Sequence, residues 1–168
     1  MLHMDRLAID GGQPVRKEKI FYGKQWIDED DRKAVSEVLT SDFITCGPKV
    51  GELEQALADY AGAGYAVAVS NGTAALHCAC LAAGIGPGEE VITTPLTFAA
   101  SANCALYCGA RPVFADVEPD TYNIDPKSIE AHITEKTKAV VAVDFTGQAV
   151  KNKEIRELGD KYKLLVIE

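Results

Sequence analysis

From residue 65 onward the chain alternates short apolar runs with longer stretches of helical character, and this alternation constrains the fold more than any other feature. The apolar runs are YAVAV at 65, VITT at 91, PVFA at 112, AVVAV at 139 and LLVI at 164. Each is long enough for a strand and too short for a helix, and a run that is apolar on consecutive positions suits a strand buried on both faces. Between them lie TAALHCACLAAG, AASANCALYCG, PKSIEAHI and KEIRELGDKYK, each long enough to cover a sheet face. Strand–helix alternation of this kind implies right-handed crossovers. The predicted class is α/β: a mainly parallel sheet with helices on both faces.

The preceding residues read as helical. Asp28 can cap DEDDRKAVSEVLT, in which Ala34, Val35, Val38 and Leu39 share a face. A second helix follows Gly47-Pro48, with Val50, Leu53, Leu57 and Tyr60 at helical spacing, and AGAG at 61–64 stops it. There is no internal repeat, low-complexity tract or linker.

A length of 168 residues with 47% apolar and 25% charged content gives room for one domain, or part of one. A net charge of −8 with no Lys/Arg cluster argues against nucleic acid or an anionic membrane as partner. No apolar run approaches the roughly 20 residues that span a bilayer. The opening MLHMDRLAIDGG lacks the apolar stretch of a secretory signal, so the expected address is cytoplasmic. Cys46, Cys78, Cys80, Cys104 and Cys108 include no CxxC pair and no zinc-type spacing, and are expected to be buried as small apolar residues. Cys104 and Cys108 share a helix face and could in principle bind metal with His77, but nothing in the sequence brings that histidine to them; no metal site is expected.

In open α/β sheets ligands collect at the carboxyl ends of strands, which directs attention to the SNGT turn after YAVAV. Gly72 lets the backbone approach a ligand closely, the first amides of the next helix point outward, and Thr73 adds a hydroxyl donor. Together they suit a phosphate dianion. The same residues also suit a plain strand-to-helix turn in which Thr73 caps the helix, and both readings are open at this point. GAG at 62–64 and GIGPG at 84–88 precede strands rather than follow them, so neither is a dinucleotide fingerprint, and no GxxxxGK[ST] string exists. In VITTPLTFAAS, Pro95 stops the strand and Phe98 falls just past its carboxyl edge. There it is either a ring that stacks on a flat ligand or a core residue under the next helix.

The string VAVSNGTAALHCACLAAGIGPGEEVITTPLTFAASANCALYCGARPVFADVEPDTYNID resembles the DegT/StrS family of nucleotide-sugar aminotransferases that depend on pyridoxal phosphate (PLP), of fold-type I. The similarity runs from about Ile27 through DFITCGPKVGELE and TEKTKAVVAVDFTGQ to LLVIE. The resemblance implies that Thr73 and Ala74 hold the phosphate of pyridoxal 5'-phosphate, with Gly72 beside them in the cofactor-binding turn, and that Phe98 stacks on its ring. TCGPKV at 45–50 resembles the family's substrate-side loop. Asp144 stands where many members carry His, and Ala149 where Pro is frequent. VDFTGQ is closer to enzymes that aminate the 4-keto group of a UDP-linked N-acetyl sugar on the route to pseudaminic acid.

The family's members are longer. LLVIE resembles their VIED stretch, whose Asp pairs with the pyridinium nitrogen, and here Glu168 is the last residue. The Schiff-base lysine is expected further downstream, and none of the twelve lysines present matches it; Lys24 and Lys49 read as surface charges. No catalytic residue is therefore assigned. The resemblance divides the chain into an N-terminal arm, 1–26, and a partial PLP-binding large domain, 27–168, without the small C-terminal domain. It implies transfer of an amino group, with glutamate as donor, to a nucleotide-linked keto sugar for cell-surface polysaccharide, by a cytoplasmic homodimer. The alternatives are a sugar 3-dehydratase, which has His in place of the lysine, and a non-catalytic, cofactor-free α/β module. Residues 1–168 given PLP, glutamate and a UDP-linked 4-keto sugar are expected to release no 2-oxoglutarate; turnover by the purified chain would refute this.

Overall fold

The computed structural model describes residues 6–168, which fall into two compact units, the first ending at Ala66 and the second being Val67–Glu168. In the first unit α1 spans Glu29–Leu39. The Asp28 carboxylate accepts from the amides of Asp30 and Asp31, and the Asp31 carboxylate accepts from the Asp28 amide, a reciprocal capping box. Helix α2, Pro48–Ala61, starts with proline in its first turn, where no amide partner is lost, and ends at Gly62 in the left-handed region (φ 64°). The apolar faces of these two helices are largely uncovered among the described residues. Val35, Leu39, Val50, Leu53 and Leu57 are all exposed, and Ala58 alone is buried on α2.

The second unit is the α/β body. Helix α3, Gly72–Ala82, leads to β1, Glu90–Thr93; then come α4, Ala100–Tyr107; β2, Arg111–Phe114; α5, Pro126–His132; β3, Thr137–Val141; α6, Asn152–Tyr162; and β4, Leu165–Ile167. The pairings within this four-stranded sheet are parallel, in the order β2-β1-β3-β4, with Ile92 opposite both Val113 and Val140 and Val141 opposite Ile167. The expected YAVAV strand at 65–69 is not among them, and Tyr65 and Val67 are exposed. An apolar run is sufficient for strand propensity, but a strand exists only where a neighbour completes its hydrogen-bond ladder.

Alternation along the strands produces two cores. Ile92 and Val140 point into one with Ile124, Ile129 and Ile155, from the side of α5 and α6. Val91, Ala139 and Val141 point into the other with Cys80, Cys104 and Ala105, from α3 and α4. With period-two side chains, only helices on both faces can bury every residue of β1. Of the cysteines, Cys80 and Cys104 are fully buried as expected, and burial pushes the Cys80 thiol up to about 12. Cys46 and Cys78 are exposed, contrary to expectation: Cys46 lies in the connection between α1 and α2, and Cys78 is on α3 away from the core. No described helix is long and apolar enough to cross a membrane.

At the amino edge of the sheet sits a buried acid. Glu90 is 3% exposed; its carboxylate accepts from the Thr134 hydroxyl at 2.7 Å and pairs with Arg111. The Thr134 bond first and then the Arg111 guanidinium hold this carboxyl below its ordinary value of 4.5. A depressed carboxyl stabilises the fold above its unfolded value, and the contribution is lost as pH falls through the folded value. We expect Glu90→Gln to cost about 1–3 kcal/mol in urea unfolding at pH 7. The gap from the wild type should narrow below pH 4.5; a gap that is the same at pH 7 and pH 3 would refute the ionic origin.

Candidate active site

The first turn of α3 is built by Asn71. Its backbone is extended, its side-chain oxygen accepts from the Ala74 amide at 2.9 Å, and its carbonyl accepts from Ala75 at 3.1 Å. The helix cap is therefore Asn71 and not Thr73. With those acceptors used, the amides of Gly72 and Thr73 and the Thr73 hydroxyl have no hydrogen-bond partner among the described residues. Unlike α1, which carries Glu29, Asp30 and Asp31 in its first turn, α3 carries no acid there. Its positive end is uncompensated by its own side chains, which is the condition for anion binding.

Gly72 separates a structural turn from a binding turn. It has no left-handed φ, and a Cβ built on it would meet nothing within 4 Å. Neither the backbone conformation nor the packing of this chain requires glycine there. The missing side chain leaves open room at this turn, which an incoming anion could use. Ala74 shares the turn, but Asn71 already occupies its amide, so its contribution to an anion is a small side chain and an N–H that would have to be shared.

Phe98 lies in the connection between β1 and α4. The Thr94 hydroxyl accepts from the Leu96 amide at 3.1 Å, the Thr97 and Ser101 hydroxyls are 2.8 Å apart, and the Phe98 carbonyl accepts from Ser101 at 3.1 Å. The connection is thus fixed by its own hydrogen bonds. Phe98 itself is 77% exposed, so it is not packed under α4 among the described residues. The elements bearing the two features share one core, through Cys80 of α3 and Cys104 and Ala105 of α4, and the rings of His77 and Tyr107 meet at 5.3 Å.

The donor set fits pyridoxal phosphate in kind: unpaired amides and a hydroxyl for a phosphate, and an exposed flat ring for a heteroaromatic. Sequence reasoning missed Asn71, whose type and position before Gly72 are the signal of a cap that takes one amide and leaves two. Asp144 spends one carboxylate oxygen on the Val150 amide, at 2.8 Å. A concavity of about 440 Å³ at the amino ends of β1 and β2 includes Glu90 and Arg111, but these are already committed to each other. Among the described residues no three His, Cys, Asp or Glu side chains group to hold a metal.

The chain is 46% identical over 147 residues to the spore coat polysaccharide biosynthesis protein SpsC of Bacillus subtilis, covering 88% of this chain and 38% of that protein. It is 44% identical over 142 residues to the UDP-4-amino-4-deoxy-L-arabinose–oxoglutarate aminotransferase of Shewanella sediminis, covering 84% and 37%. The PLP form of a Streptococcus pneumoniae protein superposes with a TM-score of 0.83 at 32% identity, over 89% of this chain and 38% of that one. The chain thus spans less than two fifths of the length of the relatives it matches. With the family profile matching residues 25–168, the chain belongs to the DegT/DnrJ/EryC1/StrS aminotransferase family, whose cofactor is pyridoxal phosphate.

Proposed function

We propose that this chain serves a PLP-dependent sugar aminotransferase, with residues 27–168 as part of its PLP-binding domain. The observation that carries the reading is the α3 N-terminus, where two unpaired amides and the Thr73 hydroxyl surround the space left by Gly72. In this reading Gly72, Thr73 and Ala74 hold the phosphate, and Phe98 lies against the ring and fixes its plane. When bound, pyridoxal phosphate supplies an electron sink for the carbanion formed during amino transfer. The residues present here bind and orient. The helix amides neutralise the phosphate charge, Thr73 fixes its rotation, and the Phe98 face excludes water from one side of the ring.

The amino acceptor we propose is a nucleotide-linked keto sugar and the donor glutamate, in keeping with the names of the relatives, one of which pairs a UDP-amino sugar with oxoglutarate. VDFTGQ at 143–148 supports a finer reading, the 4-keto group of a UDP-N-acetyl sugar on the route to pseudaminic acid. The assembly proposed is a cytoplasmic homodimer; the exposed apolar face of α2 formed by Val50, Leu53 and Leu57 is the kind of surface a partner would cover.

Gly72→Ala tests whether the glycine is there for a ligand. Its melting temperature should be unchanged or slightly raised, because no atom opposes the added methyl. Its PLP affinity in an absorbance titration should fall about fivefold or more, a loss near 1 kcal/mol. A destabilised variant with normal PLP affinity would assign Gly72 to the fold instead.

Removing one charge-assisted hydrogen bond costs about 1.5–3 kcal/mol, so Thr73→Val should weaken PLP binding roughly tenfold or more. Phe98→Tyr should keep the PLP absorption band and Phe98→Ala should lose cofactor on dialysis. Wild-type affinity in Thr73→Val, together with equal retention in the two Phe98 variants, would sink the assignment and favour a cofactor-free module.

A further inference from the structure

Two loops at the carboxyl side of the sheet are fastened to each other by one buried side chain. Asn123, 2% exposed, follows the turn that begins at Glu118, between β2 and α5. Its amide nitrogen donates to the carbonyls of Gln148 at 2.8 Å and Ala149 at 3.1 Å, and its oxygen accepts from the Phe145 amide at 2.9 Å. All three partners belong to the loop that leaves β3 for α6. Lys151 and Glu118 pair across the same gap, and the rings of Tyr122 and Phe145 lie 6.4 Å apart. Asp144 closes the loop on itself through the Val150 amide.

The fastening maintains unfavourable backbone. Tyr122 (φ 59°) and Thr146 (φ 55°) both occupy the left-handed region, which side-chain-bearing residues avoid, and they sit one in each loop. Thr146 is β-branched, a poor candidate for that conformation, and persists only where surrounding contacts over-determine it. The loop so held presents Asp144, Thr146 and Gln148 to solvent beyond the end of β3. β3 is the direct neighbour of β1, whose carboxyl end leads to Phe98, and the Thr93 hydroxyl ties the two strand ends together by donating to the Val141 carbonyl at 3.0 Å. A carboxylate, a hydroxyl and an amide displayed together suit a ligand rich in hydroxyl groups.

We infer that Asn123 is a positioning residue that holds the 144–149 loop in its strained form, so that Asp144, Thr146 and Gln148 contact the sugar of the nucleotide-linked substrate. This rests on the proposed sugar aminotransferase reading. Asn123 touches no ligand itself; its effect passes through the loop backbone. Of its three bonds, Asn123→Asp keeps the acceptor and turns the donor to two carbonyls into a repelling oxygen. Because a buried carboxylate could unfold the chain, Asn123→Ser is the second variant: it removes the same three bonds without burying a charge.

The test combines hydrogen exchange with binding of UDP-N-acetylglucosamine, a stable probe, to the PLP-loaded protein. In the wild type the probe should slow exchange of the Thr146 to Gln148 amides. In the folded variants the loop amides should exchange about tenfold faster while the amides of β1 and β3 do not change. Probe affinity should fall about fivefold, with PLP affinity preserved. Unchanged loop exchange in both variants would overturn the positioning role. Wild-type loop amides unaffected by bound probe would overturn the sugar contact, and equal losses of probe and PLP affinity would assign the effect to general destabilisation. Failure of the wild type to bind PLP at all would strike the underlying reading, and the exchange rates would still judge the clamp.

Discussion

The pairing of β1 with β3 is the interaction on which the α/β unit depends. Every residue of β1 is buried, and its side chains alternate between two separate cores, so the strand is held by packing on both faces and by ladders on both edges. The buried bond from the Thr93 hydroxyl to the Val141 carbonyl extends that pairing past the last ladder position. The connection to Phe98 and the loop at Asp144 both leave from this pair of strand ends. If the register between β1 and β3 slipped by one residue, Ile92 and Val91 would exchange cores and both connections would start from the wrong face.

The chain uses helix N-termini in two ways. At α1, acids fill the first turn and a capping box takes the amides of Asp28, Asp30 and Asp31, so the positive end is compensated by the helix's own side chains. At α3 a single neutral Asn satisfies one amide, the carbonyl behind it closes the first turn, and two amides are left unpaired beside a glycine that nothing in the chain requires. The difference lies in the acids of the α1 first turn, and under the proposed reading an anion completes the first turn of α3.

How much of this was legible in the sequence depended on whether the information was local. Four of the five apolar runs became strands and all the helical stretches became helices, because burial period, Pro48, Gly62 and Asp28 act within a few residues of themselves. YAVAV failed because strand formation is a property of a pair, and its sequence says nothing about a partner. The spacing of apolar residues on α1 and α2 marks a face of each helix, but a stripe cannot report whether anything covers it. Thr73 and Phe98 were visible as residue types. That the cap is Asn71, and that Phe98 is exposed rather than packed, came only from the geometry. Asn123 gave no local signal at all, since its partners are 22 to 26 residues away.

The two edges of the sheet also spend their polar groups differently. At the amino edge the charges face one another: Glu90 is satisfied by Thr134 and Arg111, and Glu89 accepts from the Gly86 amide at 2.9 Å and lies 3.5 Å from Lys138. Glu89, Glu90 and Arg111 are thereby committed to neighbouring groups of the fold. Beyond the carboxyl ends of β1 and β3, buried polar groups such as Asn123 are turned inward to hold backbone, and an aromatic ring, a threonine hydroxyl and an amide are turned outward on that support. A preorganised site needs this order of construction, because a side chain can select a ligand only if the ligand's binding does not also have to fix the backbone beneath it. The strain at Tyr122 and Thr146 therefore falls on the folding of the chain, and a substrate would meet a loop already set.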